Sequence, residues 1–279
     1  MKSLQGIVDI HAHADPDKTS RSVDFLELAK MYQDRGVRGM VIMNHFDPTA
    51  GQAYLARKHA PDLEIFGGIV LNRLVGGMNS AAVEHFIRVE GGYGKIVYMP
   101  TLDSENEIRQ SKPGQPFVRI SRDGLLLAEV LDMLDLIAKH ELILSTGHSS
   151  PEEILLLTRE AKERGIEKVL VTNPMYWAID MGVEQMAEAA QLGAYIEFIY
   201  FSVGKPGATV TMEDYANAIK AIDPKHCILS SCGGQGWMPI HTFAWQELFR
   251  GMQENGLADQ AIDLMAKTNP ARLLGLETG

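Results

Sequence analysis

Two histidines separated by one residue, His11 and His13, are the residues of this chain most suited to chemistry. They end an apolar segment, and side chains alternate along a strand, so both imidazoles should point to the same side. Two neutral imidazoles facing one cavity are costly to bury alone and suit a divalent metal. We expect Asp9 on the same face, one layer deeper, where it would orient an imidazole. The alternative is a chance His-x-His pair on an exposed segment.

Two further histidines end other predicted strands. His148 ends the fifth, where a third nitrogen ligand would stand across the cavity; the alternative is a capping or loop histidine ahead of Pro151. His45 ends the second, as a metal ligand or a catalytic group that hydrogen-bonds the substrate. The alternative for His45 is a buried histidine satisfied by the backbone.

Cys232 ends the eighth predicted strand and offers a thiolate, which is a good zinc ligand. A site made of His11, His13, His148 and Cys232 would have four protein ligands and no open position, which argues against hydrolysis. Away from the metal, Cys232 would act as a base or nucleophile. The alternative is a small buried residue that packs like a hydrophobe.

Glu197 lies within an apolar strand, where a carboxylate must be paired, bound to metal or protonated. We expect a general base or ligand, and the alternative is a pair with an inward arginine or lysine. Asn173 suits hydrogen bonding to a substrate carbonyl, or else belongs to an Asn-Pro turn.

A polar insertion, 101–124, follows the fourth predicted strand. Loops of this length are usually lids or binding loops, and the guanidinium groups of Arg109 and Arg119 suit the carboxylate or phosphate of an anionic substrate. The alternative is a solvated surface loop. We expect Trp237 to line the pocket, and the alternative is that it only packs against neighbouring side chains.

A short apolar segment followed by a helical pattern recurs eight times, which predicts parallel strands covered by helices. The predicted strands are 7–13, 39–44, 63–71, 95–99, 142–145, 168–172, 194–200 and 227–231. The predicted helices are 22–35, 49–58, 80–89, 125–140, 151–164, 183–192, 211–222 and 242–255, with an extra C-terminal helix at 258–267.

This pattern predicts an α/β fold: a single (β/α)8 TIM barrel domain over 1–279, with a long loop after strand four. The alternative, an open doubly wound sheet, lacks the glycine-rich phosphate fingerprint after its first strand. In such barrels function gathers at the carboxyl ends of the strands, so the residues above should meet at one rim.

The 279 residues carry a net charge of −10, which argues against nucleic acid or an anionic membrane as partner. No apolar segment reaches the length of a membrane span and the N-terminus lacks a signal-peptide pattern, so we expect a cytoplasmic protein. Cys227 and Cys232 are too far apart on an extended strand to pair, which indicates reduced thiols. The partners we expect are a small-molecule substrate and other copies of the chain in a homo-oligomer.

The chain resembles the amidohydrolase superfamily of metal-dependent hydrolases. The resemblance is carried by Asp9-Ile10-His11-Ala12-His13, by His148, and by the closing Thr268-Asn269-Pro270-Ala271-Arg272-Leu273-Leu274. Superfamily members usually place a histidine after strand six and an aspartate after strand eight, where this chain has Asn173 and Cys232. Lys95 lies about four residues too early to be a bridging carboxylated lysine, so a bridged pair of metals is not expected.

The resemblance and the histidines together imply one divalent metal, foremost Zn²⁺, with Mn²⁺ or Fe²⁺ as alternatives. They imply a metal-dependent hydrolase that cleaves a C–N or C–O bond (amide, lactam, lactone or ester) through metal-activated water. The alternatives are a metal-dependent decarboxylase or other lyase of the same superfamily, and a catalytically degenerate binding barrel.

Overall fold

The computed structural model describes residues 2–276, in which eight parallel strands form one sheet in sequential order. The strands are β1 (Val8–Ala12), β2 (Gly39–Ile42), β3 (Glu64–Val70), β4 (Gly94–Tyr98), β5 (Ile143–Ser145), β6 (Val169–Val171), β7 (Tyr195–Ile199) and β8 (Cys227–Ser230). Sequential order around a nearly closed barrel confirms the predicted (β/α)8 fold and excludes the doubly wound sheet. That one domain spans all of 1–279 stays a prediction.

Helices follow every strand, close to where the periodicity predicts them. They are α1 (Phe25–Gln33), α2 (Ala50–His59), α3 (Ser80–Arg88), α4 (Glu105–Ser111), α5 (Ala128–Lys139), α6 (Pro151–Glu163), α7 (Val183–Gln191), α8 (Tyr200–Gly204), α9 (Met212–Ile222), α10 (His241–Glu254), α11 (Asp259–Asp263) and α12 (Asn269–Leu274). The start of α6 is fixed by Pro151 and by a capping box of Ser150 and Glu153.

Three helical segments differ from the prediction. The insertion after β4 contains α4 and a small antiparallel hairpin, 121–122 with 125–126, so α5 begins at Ala128 and not at residue 125. A five-residue helix, α8, follows β7 directly. The extra C-terminal helix continues past residue 267, through a π-helical turn at Leu264–Thr268, into α12.

Apolar side chains form two layers. The inner cluster fills the barrel and includes Val8, Ile10 and Tyr98, while Leu273 and Leu274 of α12 pack against it from the amino ends of the strands. The larger outer cluster lies between the strands and the surrounding helices. Burial on both faces explains why the strands read as nearly continuous apolar segments.

A β-bulge in β1 changes which way Asp9 points. Asp9 pairs with Met40 and Ala12 with Ile42, so β1 takes three steps where β2 takes two. The Asp9 carboxylate therefore turns outward, to the helix layer, and accepts hydrogen bonds from the Tyr32 hydroxyl (2.6 Å) and Trp245 Nε1 (3.1 Å). The prediction that Asp9 shares a face with His11 and orients an imidazole was wrong, because simple alternation fails at the bulge.

The same carboxylate joins the first strand to the last. The backbone N–H of Ser231 donates to Asp9 Oδ1 (3.1 Å) and its hydroxyl donates to Oδ2 (2.5 Å). Just after the two strands end, the backbone N–H of His13 donates to the Gly233 carbonyl (3.1 Å). We call this junction between β1 and β8 the seam.

Both cysteines are free and buried. Within the described part of the chain, 2–276, no helix has both the length and the apolar character needed to cross a bilayer.

Candidate functional site

Three potential metal ligands converge at the seam. One ligand atom each from His11, His13 and Cys232 lies within 4.8 Å of the others, and all three residues are buried. His11 lies within the bulged part of β1, His13 directly follows β1, and Cys232 follows β8. Cys232 has a φ of 43°, an uncommon conformation for a residue other than glycine that often marks functional sites.

Neighbouring groups hold these histidines in place. Both carboxylate oxygens of Glu197, on β7, lie 3.3 Å from Nδ1 of His11, so Glu197 accepts from that nitrogen and leaves Nε2 available. The Nε2–H of His241, at the start of α10, donates to the carbonyl of His13 (2.9 Å). Glu197 thus takes the orienting position that the sequence reading gave to Asp9.

The donor set fits a divalent metal. Nδ1 of His13 is buried and has no hydrogen-bond partner among residues 2–276, which is uncommon for a buried polar atom unless a further group satisfies it. Two imidazole nitrogens and one sulfur suit Zn²⁺, and three protein ligands leave a fourth tetrahedral position open.

The surroundings of the site favour the neutral imidazole at His13 and the charged one at His11. Burial lowers the pKa of His13 well below its ordinary value, and Arg21 lowers it further. The pKa of His45 is also lowered well below the ordinary value, by burial and by His148. Burial also disfavours charge on His11, but Cys232 and Glu197 outweigh it and raise the pKa of that histidine well above the ordinary value. Since a metal binds the neutral form, His13 is already in its ligating state.

The three donors open onto a cavity of ≈ 90 Å³ at the carboxyl ends of the strands. Besides them, the cavity is lined by His45, Leu102, His148, Asn173, Tyr176, Ile199, Phe201 and Gln235. The expected gathering of histidines at one rim is therefore what the structure has.

His148 lines this cavity but stands outside the three-donor group. Its Nδ1 is hydrogen-bonded to a carboxylate oxygen of Glu107, a buried residue of α4. Gly147 makes this position attainable: its φ is 58°, and a Cβ there would lie 2.2 Å from the carbonyl oxygen of Met99.

Glu107 was not among the site residues predicted from the sequence. Its one local signal is the helix start Ser104-x-x-Glu107, where the Ser104 hydroxyl caps the N–H of Glu107. That signal indicates a helix but not that the Glu107 side chain reaches His148.

His45 and Asn173 both reach the cavity, as expected. Nδ1 of His45 is hydrogen-bonded to Thr101 Oγ1 (2.8 Å), and its ring lies between those of His13 (5.1 Å) and His148 (6.2 Å). Asn173 has a φ of 45°, and its Oδ1 accepts from Ser202 Oγ (2.9 Å). Both side chains are held in place by neighbours and keep polar atoms near the site.

The residues expected to bind an anion lie elsewhere. Arg109 and Arg119 both pair with Glu105 on α4, and neither is among the cavity-lining residues of the described chain. Trp237 is 62% exposed, and its ring packs 5.8 Å from that of Phe201, which does line the cavity. Trp237 therefore packs against a residue that lines the cavity but does not itself line it.

Residues 6–197 match a protein family described as a family of unknown function, DUF6282. The chain belongs to this family. No curated protein matches it.

Solved structures with the same fold include an amidohydrolase from Pseudomonas aeruginosa (TM-score 0.64, 13% identity, 97% of this chain and 95% of that one). A phosphotriesterase from Mycobacterium tuberculosis matches with TM-score 0.57 at 15% identity, over 100% of this chain and 97% of that one. An N-acetyl-D-glucosamine-6-phosphate deacetylase from Mycobacterium smegmatis matches with TM-score 0.59 at 16% identity, over 98% and 76%. The resemblance to the amidohydrolase superfamily is confirmed at the level of the fold.

Proposed function

We propose that this protein is a metal-dependent hydrolase that cleaves an amide, lactam, lactone or ester bond in a small substrate. The observation that carries the proposal is the convergence of His11, His13 and Cys232 in the lining of a cavity, with Nδ1 of His13 buried and unpartnered in the described chain. The hydrolytic names of proteins with the same fold, such as the deacetylase and the phosphotriesterase, are consistent with this assignment.

One divalent ion is proposed, Zn²⁺ first, with Mn²⁺ or Fe²⁺ as alternatives. When bound, it would polarise the scissile carbonyl and lower the pKa of a water molecule. A set of three ligands, without His148, keeps a coordination position open, which supports hydrolysis over the saturated four-ligand centre.

Each neighbouring residue then has a task that its contacts support. Glu197 is a positioning residue, because both of its oxygens face Nδ1 of His11. His148 is proposed as the proton donor and acceptor, because it lines the cavity and is oriented by Glu107. His45 and Asn173 are proposed to hydrogen-bond the substrate carbonyl and its leaving group.

The metal assignment is tested by elemental analysis of matched cysteine variants. We expect about one divalent ion per chain in the native protein and in Cys227→Ala, because Cys227 lies buried at the start of β8, outside the donor group. In Cys232→Ala the metal content should fall well below that, since a ligand is lost. Equal metal content in both variants, or a native protein purified without metal, contradicts the proposal.

The reaction is tested with small lactones, lactams, amides and esters in ¹⁸O-labelled water. Hydrolysis places one labelled oxygen in the acid product, whereas release of carbon dioxide without label would assign the protein to the lyases. The variant His13→Ala should lose turnover, and His85→Ala, an exposed histidine on α3, should keep it.

A further inference from the structure

Lys205 stands between two aromatic walls of the cavity. It follows α8 directly, and its Nζ lies 5.4 Å from the ring centroid of Tyr176 and 5.5 Å from that of Phe201. Both rings line the cavity, and the Tyr176 ring lies 4.9 Å from that of His148. The ammonium group therefore lies against two rings that line the cavity, although Lys205 itself is not among the lining residues.

The charge of Lys205 has no carboxylate partner in the part of the chain that the structure describes. Burial lowers the pKa of Lys205, and within residues 2–276 no carboxylate acts against that shift. The two rings provide cation–π attraction, which offsets only part of the cost of removing an ammonium group from water. A group of this kind gains when a bound molecule brings a negative charge.

Other cations near the site already have partners. Arg21, whose charge affects His13 and His45, is paired with Asp17, and Arg109 and Arg119 share Glu105. A bound anion would have to compete with those carboxylates, whereas at Lys205 it would not.

We propose that Lys205 binds a carboxylate of the substrate at the edge of the cavity, while Tyr176 and Phe201 pack against the planar group that carries it. A single ammonium matches the single negative charge of a carboxylate, whereas a phosphate group carries about two. The proposal rests on the proposed function, because it places the reacting bond further in, near His13 and Cys232. It deepens that function by making the substrate a small planar carboxylic acid.

The test compares benzoate with benzamide, its uncharged counterpart of the same shape, by calorimetric titration of the purified protein. We expect benzoate to bind the native protein at least about 10-fold more tightly, the loss typical of one charged hydrogen bond. Lys205→Met should remove that preference, and Lys205→Arg, which keeps the charge, should retain part of it. Lys58→Met is the matched control, because Lys58 also lies over a tyrosine ring (4.2 Å from Tyr54), one that does not line this cavity.

Three results would overturn the proposal: no binding of benzoate, equal binding of benzoate and benzamide by the native protein, or an unchanged preference in Lys205→Met. The last would mean that the carboxylate binds elsewhere, for instance to the metal. Metal content measured on the same samples separates the two hypotheses. If the protein holds metal but does not prefer benzoate, this inference is wrong and the proposed hydrolase function stands. If the protein holds no metal but prefers benzoate through Lys205, the carboxylate site stands and the proposed metal-dependent function is wrong.

Discussion

Glu197 is fully buried and shares its two oxygens with one imidazole nitrogen of His11. A buried carboxylate without such a partner would be costly, so the pair stabilises both members. With Nδ1 held by Glu197, the tautomer of His11 is set and Nε2 can serve as the ligand. The ligand geometry of this site therefore depends on a residue that is not itself one of the three donors.

Replacing Glu197 by glutamine should weaken metal binding about 10- to 100-fold, the usual effect of losing a group that orients a ligating histidine. The measurement is zinc affinity in competition with a chromogenic chelator. Glu167→Gln, at an exposed glutamate on the far side of the barrel, is the control and should bind zinc as the native protein does. Unchanged affinity in Glu197→Gln would show that His11 needs no such partner.

The element that matters most to the cavity, apart from the strands, is α4. It is attached to the barrel at its start by Ser104, whose hydroxyl donates to the carbonyl of His148 (3.1 Å), and by Asn106, whose side-chain amide donates to the carbonyl of Ala178 (2.6 Å). The insertion is thus fastened to the barrel, and it delivers Glu107 to His148.

Glu107→Gln distinguishes the two roles open to His148. If His148 transfers protons, kcat should fall about 10-fold or more, because general acid–base catalysis typically contributes 10²- to 10⁴-fold, while metal content stays unchanged. Turnover and metal content are measured on the same preparation. Glu152→Gln, on the exposed side of α6, should change neither. A fall in metal content would instead make His148 the fourth ligand.

Much of this arrangement was predictable at the scale of elements, because apolar periodicity reports burial. The bulge in β1 was not, since it depends on how β1 pairs with β2 and nothing within Val8–Ala12 signals it. Helix α8 was hidden because its five residues continue the apolar pattern of β7. Glu107, which contacts His148, and Lys205, which lies against Tyr176 and Phe201, therefore could not be found from the ends of the predicted strands.

At the scale of the molecule, the buried carboxylate of Asp9 helps to join the first and last strands of the barrel. Asp9 accepts from Tyr32 on α1, Trp245 on α10 and Ser231 after β8, so it ties together the first and last units of the fold. Hydrogen bonds to a charged group are stronger than neutral ones, and donors left unsatisfied in the interior are costly.

Asp9→Ala should therefore lower the free energy of unfolding by about 3 kcal/mol or more, since it leaves several buried donors without an acceptor. Urea denaturation monitored by circular dichroism gives the value. Asp132→Ala, at an exposed position of α5, should stay within about 0.5 kcal/mol of the native protein, as surface substitutions usually do. A small effect at Asp9 would mean that backbone contacts alone hold the seam.

The His13 and Cys232 donors lie on opposite sides of the seam, so the spacing between them is inherited from the barrel's own closure. Substitutions at Tyr32, Ser231 or Trp245, which hydrogen-bond Asp9 but do not line the cavity, would displace His13 relative to Cys232. A genetic screen for lost turnover would recover such positions alongside the true reactive groups. A folding assay beside every activity assay would be needed to separate the two kinds of position. The reason is that the junction between β1 and β8 both closes the barrel and positions the metal ligands.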